Sequence, residues 1–334
     1  MPKPQIHLVG EAANYLDILR GHVDPSLAEI VALPREAALV ATHDGGIAPA
    51  DIVVSLRLRR DGGPLPAMRM LHVPGAGLDG IDMAQIPHGT VVCNVFEHEG
   101  PIAEFVLASI LEWTIGLAGL ARDFDDRTWS DTYRRRRPHG EVQGKILGLI
   151  GHGRIGRAVA DRARALGIEV IAVDAAVTEP SDGLLPPQRL SELLAAADYL
   201  AIACPLTDET RGLIGAAQLA AMKPSAVLIN VSRAEIVDEA ALYAALSRNT
   251  IRGASLDVWY RYPKGSDDQV APSERPFHAL PNAICTPHSA AWTRELMLRR
   301  YRVIGENITA LLTGGPLRNV VRPAASGPIE KDVQ

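Results

Sequence analysis

Short apolar runs alternate with longer Ala-rich segments along most of this 334-residue chain, and the alternation restricts the folds it can adopt. The clearest runs are rich in Val, Ile and Leu and read KILGLIG (145–151), IEVIAVD (168–174), DYLAIAC (198–204), AVLINVS (226–232), GASLDV (253–258) and AICTPH (283–288). Strands that are apolar on both faces and separated by helices predict a parallel sheet covered on each side. Right-handed crossovers would make it a doubly wound α/β domain.

A second, smaller α/β domain is predicted in the first hundred residues, because 334 residues exceed what one hydrophobic core usually holds. Its strand candidates are IHLVG, AALVAT, DIVVSL, MRMLHVPG and TVVCNV. Long helical segments start near Pro101 and Trp292, so we expect the chain to leave this domain along one helix and return along the other. The prediction is a discontinuous domain of residues 1–98 and 290–334, with residues 99–289 inserted.

Charge and cysteine content narrow the classes of function. A net charge of −5 and a pI of about 6.1 argue against a protein held on nucleic acid by phosphate contacts. The N-terminus lacks the apolar core of a signal peptide, and no stretch is apolar enough to span a bilayer. The three cysteines (Cys93, Cys204, Cys285) are far apart, without metal-ligand spacing. We expect a cytoplasmic protein with no metal site and no membrane or nucleic-acid partner.

The stretch GHGRIG has glycines at the spacing of a dinucleotide-binding loop, between an apolar strand and a helix. Glycines let the backbone approach a pyrophosphate, whose charge lies at the helix N-terminus. The next strand ends in Asp174, which would accept hydrogen bonds from the ribose hydroxyls and repel a 2′-phosphate. We therefore predict NAD (NADH) in preference to NADP, bound by Gly151, Gly153, Arg154, Ile155, Gly156 and Asp174.

With these motifs in order, nearly the whole chain resembles the D-isomer-specific 2-hydroxyacid dehydrogenase family. The stretches that carry the resemblance are VPGAGLDGID (73–82), GKILGLIGHGRIG (144–156), CPLTDETRGLIG (204–215), MKPSAVLINVSRAEIVDE (222–239), GASLDV (253–258) and TPH (286–288). The resemblance implies a Rossmann-type NAD domain inserted into a flavodoxin-like substrate domain. It also implies a homodimer and a small anionic 2-oxo or 2-hydroxy acid as substrate.

The resemblance assigns the catalytic work to an arginine and a histidine. Arg233 matches the family's catalytic arginine, and its planar guanidinium can hold a carboxylate and polarise a carbonyl. Ala234 follows it, where the family usually has glycine. His288 matches the catalytic histidine, which donates a proton during reduction and accepts one during oxidation. Further binding residues implied by the family are Ala76 and Gly77 for the substrate carboxylate, and Cys204, Pro205, Thr210, Val231 and Asp257 for the cofactor.

The chain departs from the family after Asp257. The family commonly supplies a glutamate that pairs with the histidine and raises its pKa, and here Tyr262 stands in that place. A phenol can bond to imidazole but carries no charge to stabilise imidazolium. Carboxylates of the following loop, Asp267, Asp268 or Glu274, are alternatives. We expect the aromatic residues of DVWYRYP to begin a loop and not to fill a core.

Three functions are compatible with this sequence: a reductase or dehydrogenase of a small 2-hydroxy acid resembling glyoxylate or hydroxypyruvate, a formate-dehydrogenase-like enzyme, and a nucleotide-sensing protein with impaired turnover. We favour the first, and the intact Arg233 and His288 argue against the third. The D-V-W stretch resembles the formate branch, whose long N-terminal extension is absent here. The run Arg134–Arg137 is interpreted as a solvated loop, with a positive field that attracts anionic substrate as the alternative.

Overall fold

A computed structural model describes residues 3–60, 63–263 and 268–323 of the chain. The chain divides into two compact units. Unit 1 comprises Met1–Glu97 and Arg294–Gln334, and unit 2 comprises His98–Thr293. No helix in the described ranges combines the length and apolar character needed to cross a bilayer.

Strands, helices and short turns follow one another along the described residues. The strands are β1 Gln5–Val9, β2 Glu29–Leu33, β3 Ile52–Val54, β4 Met70–His72, β5 Val91–Cys93, β6 Ile146–Ile150, β7 Glu169–Val173, β8 Leu184–Leu185, β9 Tyr199–Ile202, β10 Val227–Asn230, β11 Gly253–Leu256, β12 Ala283–Cys285 and β13 Val320–Arg322. The α-helices are α1 Leu16–Arg20, α2 Glu99–Ile115, α3 Leu117–Arg122, α4 Trp129–Arg135, α5 Arg154–Ala165, α6 Leu190–Ala196, α7 Ala216–Ala221, α8 Glu239–Ser247 and α9 Arg294–Thr313. The 3₁₀ turns are Gly10–Tyr15, Arg35–Ala38, Ala41–Gly46, Pro187–Arg189, Ala234–Ile236 and Phe277–Ala279.

The sheet of unit 2 is parallel and has the order β12-β11-β10-β9-β6-β7-β8. Successive residues of β9 point into two different cores: Leu200 and Ile202 join one apolar cluster, while Tyr199 joins the other. This burial on both faces explains the continuous apolar runs in the sequence. The strand order reverses between β6 and β9, which is the switch point of a Rossmann-type sheet.

Unit 1 contains a six-stranded sheet in the order β13-β5-β4-β3-β1-β2. Its five parallel strands have the flavodoxin-like order, and β13 pairs antiparallel with β5 at the edge. The helix α9 packs against α1 and buries Tyr301 and Ile304 in the core. Together the two sheets confirm the predicted fold class, two doubly wound α/β domains.

One predicted strand of unit 1 is wrong. The stretch AALVAT is not a strand but contributes to two 3₁₀ turns, Arg35–Ala38 and Ala41–Gly46. Alanine favours helical backbone, and Ala37 and Ala38 are buried there against the sheet. The strand next to β1 is instead β2, whose mixed burial gives it a weaker apolar pattern.

The glycine loop between β6 and α5 is built so closely that two of its residues must be glycine. Gly151 has φ of 97°, and a Cβ there would lie 2.7 Å from the backbone nitrogen of Cys204. A Cβ on Gly156 would lie 2.2 Å from the carbonyl oxygen of Gly151. Gly153 differs from both, because a Cβ there would meet open space.

We predict that Gly156→Ala destabilises the protein and that Gly153→Ala does not. The added methyl group at position 156 collides with backbone that cannot rotate away, which costs about 1–3 kcal/mol or more. The change is measured as the Tm of each variant in thermal unfolding. Equal Tm values for both variants and the wild type would contradict the tight packing of this loop.

Candidate active site

The predicted cofactor and catalytic residues of unit 2 follow the carboxyl ends of its parallel strands. In chain order these are Gly151 after β6, Asp174 after β7, Cys204 after β9, Arg233 after β10, Asp257 after β11 and His288 after β12. Carboxyl ends of parallel strands open on one edge of a sheet, where open α/β sheets bind ligands. Residues far apart in sequence therefore share this edge.

Two backbone N–H groups hold the carboxylate of Asp174. One carboxylate oxygen accepts a hydrogen bond from the N–H of His152 at 2.6 Å, and the other accepts from the N–H of Ala176 at 2.9 Å. The first of these bonds ties the end of β7 to the glycine loop. Arg154 and Ile155 form the first turn of α5, whose N-cap is Gly153.

The loop after β9 is stabilised by hydrogen bonds between its own residues. The hydroxyl of Thr210 donates to the carbonyl of Pro205 at 2.8 Å and accepts from the N–H of Thr207 at 2.7 Å. Cys204 is buried, and burial raises the pKa of its thiol to about 11. A thiol that stays neutral can line an apolar wall of the site, but it does not act as a nucleophile.

Arg233 lies at the end of β10 in a loop that polar groups shape. The Asn230 side chain donates to the carbonyl of Arg233 at 2.9 Å and accepts from the N–H of Ser232 at 3.1 Å. The hydroxyl of Ser232 donates to the carbonyl of Cys204. Val231 is buried beside them, and Ala234 is buried at the start of a 3₁₀ turn. The arginine side chain is half-buried.

Asp257 is buried and clamps the segment that carries His288. Its carboxylate accepts from the hydroxyl of Thr286 at 2.6 Å and from the N–H groups of Ser289 and Ala290, each at 2.8 Å. Between these attachment points His288 has φ of 57°, in the left-handed region that is uncommon for residues other than glycine. The clamp holds a backbone conformation that the chain would otherwise leave.

Tyr262 contacts His288, as its place in the sequence predicts. Its hydroxyl oxygen lies 2.7 Å from Nδ1 of the histidine and accepts from the N–H of Trp259 at 3.0 Å. The two rings lie 5.5 Å apart, centre to centre. The indole N–H of Trp259 donates to the carbonyl of Thr286 at 2.8 Å, so the same residue supports both partners.

The surroundings shift the pKa values of both partners toward their neutral forms. Loss of water around the ring lowers the pKa of His288, an effect that Asp257 opposes and Arg233 reinforces. Loss of water raises the pKa of Tyr262, while the N–H of Trp259 and the charge of Arg233 act in the opposite direction. Both residues are exposed at one side, so the protein around them excludes only part of the solvent.

The alternative carboxylates do not replace Tyr262 in the described contacts. Glu274 forms an ion pair with Arg261 and receives no bond from the histidine. The charges that act on His288 belong to Asp257 and Arg233, and Asp268 is not among them. Asp267 lies outside the described residues.

The expectation for the aromatic cluster was wrong for two of its three residues. Trp259 is 8% exposed and belongs to an apolar core cluster, and Tyr260 packs against that cluster. The hydroxyl of Tyr260 donates to the carbonyl of Val237 at 2.8 Å. Tyr262 is the exposed member, at 39%.

Several residues that shape the site were missed in the sequence. Asn230 had a usable signal, since an amide that ends an apolar strand just before an arginine suggests a polar role. Ser232, Thr286 and Ser289 gave no such signal, because their partners are distant in sequence. The role of Trp259 was hidden for the same reason.

Two predicted substrate residues lie in unit 1, in the loop after β4. The carbonyl of Ala76 accepts from the side chain of Asn94 at 3.0 Å, and Gly77 is exposed. The arginine run lies at the end of α4, where its side chains are exposed. Arg134 pairs with Asp131 at 3.6 Å, and Arg136 stacks over the ring of Tyr133 at 4.0 Å.

Comparison with known proteins identifies the family. Residues 107–290 match the model of the D-isomer specific 2-hydroxyacid dehydrogenase, NAD binding domain. A D-3-phosphoglycerate dehydrogenase of Methanocaldococcus jannaschii is 35% identical over 263 residues, which are 76% of this chain and 47% of the relative. A glycerate dehydrogenase of Methylorubrum extorquens is 33% identical over 262 residues, 77% of this chain and 80% of the relative.

Solved structures extend the likeness to the whole chain. An NADPH-dependent glyoxylate/hydroxypyruvate reductase from Sinorhizobium meliloti, in complex with NADP and malonate, has a TM-score of 0.73 and 25% identity, with each chain covered to 100%. The chain spans about half the length of the phosphoglycerate dehydrogenase above. The matched segment contains the glycine loop, Asp174, Arg233 and His288. The chain belongs to the D-isomer-specific 2-hydroxyacid dehydrogenase family and carries its NAD-binding domain.

Proposed function

We propose that this protein is an NAD(H)-dependent oxidoreductase that interconverts a small D-2-hydroxy acid and its 2-oxo acid, of the size of glyoxylate or hydroxypyruvate. The observation that carries the proposal is the electrostatic grouping of Arg233 with His288 and Tyr262 on the strand edge that also holds the glycine loop. In this proposal unit 2 binds NAD and unit 1, with Ala76 and Gly77, contributes to substrate binding.

The residues of unit 2 fit a dinucleotide. Open space beside Gly153 leaves room for a pyrophosphate at the N-terminus of α5, where Arg154 and Ile155 form the first turn of the helix. Asp174 keeps lone pairs free for ribose hydroxyls in addition to its two backbone bonds. Cys204, Pro205, Thr210 and Val231 would line the cofactor. Asp257 would act on the nicotinamide side through the segment that it clamps.

Each catalytic group has a separate task. NADH, when bound, supplies the hydride. Arg233 holds the substrate carboxylate and draws electron density from the carbonyl, because a guanidinium is a planar cation with several N–H donors. His288 exchanges the proton with the substrate oxygen, and Tyr262 orients its ring through Nδ1.

The proposal predicts NADH oxidation with one or more small 2-oxo acids, in a panel that includes glyoxylate, hydroxypyruvate and formate plus NAD as a control. Arg233→Ala and His288→Ala should each lower kcat/KM by about a hundredfold or more, since each removes a group that acts on the developing charge. Arg248→Ala, a change of an exposed arginine in unit 2, is the matched control. Turnover of formate alone would assign the formate reaction, and no turnover would favour a nucleotide-sensing protein.

The choice of cofactor is tested at Asp174. We predict that Asp174→Ala raises the Kd of NADH by about tenfold, the loss of one or two hydrogen bonds to the ribose. Binding of NADPH should not weaken, because the variant no longer repels the 2′-phosphate. Cofactor fluorescence titration gives both constants. Asp161→Ala, on the exposed face of α5, is the control, and equal losses for NADH and NADPH would argue against the role of Asp174.

The expected homodimer has a candidate surface on unit 2, which we name the aromatic segment and define as residues 117–136. Its rings form an exposed ladder: Phe124 lies 5.8 Å from Trp129, and Trp129 lies 5.2 Å from Tyr133. Leu120 is 55% exposed on the same segment. Exposed apolar area of this kind marks an interaction site. A two-fold dimer would cover this face with the same segment of a second copy.

We predict that Trp129→Glu and Leu120→Glu shift the protein from dimer to monomer, since each places a charge in the centre of an apolar interface. The molar mass is measured by light scattering during size-exclusion chromatography. Leu298→Glu is the matched control, because Leu298 is equally exposed, at 52%, but lies on α9 of unit 1. A dimer that survives both changes in the aromatic segment would assign the interface elsewhere.

A further inference from the structure

The hydroxyl of Tyr262 has two partners, and only one of them can accept its proton. The N–H of Trp259 lies 3.0 Å away and can only donate, so it occupies a lone pair of the phenol oxygen. Nδ1 of His288 lies 2.7 Å away and can accept. A phenol has one proton to give. The contact with Nδ1 allows either group to donate, and donation by the hydroxyl is the arrangement that pairs the phenol proton within the protein.

This direction of donation decides which nitrogen of the neutral histidine carries the proton. With Nδ1 as an acceptor, the proton is on Nε2. A glutamate in place of Tyr262 would accept from Nδ1–H and leave Nε2 bare. The exchange of carboxylate for phenol thus turns the neutral ring of His288 from a proton acceptor at Nε2 into a proton donor there.

Loss of water keeps the phenol of Tyr262 protonated at rest, so its proton is present to be given. The groups that act on His288 and Tyr262 are Arg233, Asp257 and Glu235. Arg233 and the N–H of Trp259 stabilise a tyrosinate, while the two carboxylates oppose it. The protein around His288 also disfavours imidazolium, the proton donor that the reaction would otherwise need. A proton donor other than imidazolium, namely the phenol of Tyr262, is consistent with these surroundings.

We propose that Tyr262 is the terminal proton donor of a relay that runs through His288 to the substrate oxygen, a mechanism that rests on the proposed function. The carbonyl carbon receives the hydride from NADH, the C=O π bond breaks, and its electron pair moves to oxygen. That oxygen takes the proton of Nε2 while Nδ1 takes the phenol proton. Water then reprotonates the tyrosinate, which is accessible because Tyr262 is 39% exposed.

The relay changes how reduction depends on pH. A donor that must be imidazolium loses about tenfold in kcat/KM for each pH unit above its pKa. The relay starts from the neutral pair, so kcat/KM of the wild type should stay within about twofold from pH 7 to pH 9. Tyr262→Phe removes the terminal donor and should restore the tenfold decline. Tyr260→Phe is the matched control: it removes the hydroxyl bonded to Val237 in the same segment and should keep the flat profile.

A second measurement reads the tautomer without turnover. The ¹⁵N chemical shifts of His288 in the cofactor-free protein at pH 8 should show the proton on Nε2 in the wild type. They should show it on Nδ1 in Tyr262→Glu, which should also raise the pKa of His288 in the same NMR titration. Tm values and NADH affinities close to those of Tyr260→Phe would verify that the Tyr262 variants fold.

Separate outcomes would overturn the relay and the proposed function. A wild-type histidine with its proton on Nδ1, or a wild-type rate that declines as steeply as that of Tyr262→Phe, would overturn the relay and leave the enzyme assignment intact. A folded wild-type protein that binds NADH but reduces no 2-oxo acid at any pH would overturn both.

Discussion

A parallel sheet buried on both faces is the constraint on which the site of unit 2 depends. Apolar side chains occupy both faces of β6, β9 and β10, so polar chemistry is pushed to the ends of the strands. The carboxyl ends share one edge, and the reversal of strand order between β6 and β9 opens it. The glycine loop, Arg233 and His288 lie at this edge because the core excludes them from anywhere else in the sheet.

A single buried carboxylate then gives the edge its shape. Asp257 accepts three short hydrogen bonds from the segment around His288 and keeps that residue in a left-handed conformation. Trp259 connects the same segment to Tyr262 through its indole and its backbone N–H. The imidazole is consequently oriented at Nδ1 by a phenol, while its other nitrogen is left for chemistry. The backbone conformation of this segment and the proposed catalysis depend on the same few contacts.

Much of the fold and part of the candidate site could be predicted from the pattern of residue types along the sequence. Apolar runs with helices between them predict the doubly wound class, and the glycine spacing followed by Asp174 predicts the cofactor loop. Patterns failed where local propensity and tertiary packing disagree: AALVAT reads as a strand but forms 3₁₀ turns, and the mixed burial of β2 hid a real strand. The expectation of an exposed loop failed for Trp259, whose side chain belongs to the core, because its partner Thr286 is 27 positions away in the sequence.

The sequence by itself determined the fold class, the family and the absence of a carboxylate at position 262, because each depends on residue types at fixed spacings. The tertiary structure decided what replaces that carboxylate. Tyr262 reaches His288 across 26 positions of sequence, and its hydroxyl oxygen also accepts the N–H of Trp259. Hydrogen-bond direction depends on where every donor and acceptor lies in space. A string of residues does not contain that information until the chain is folded.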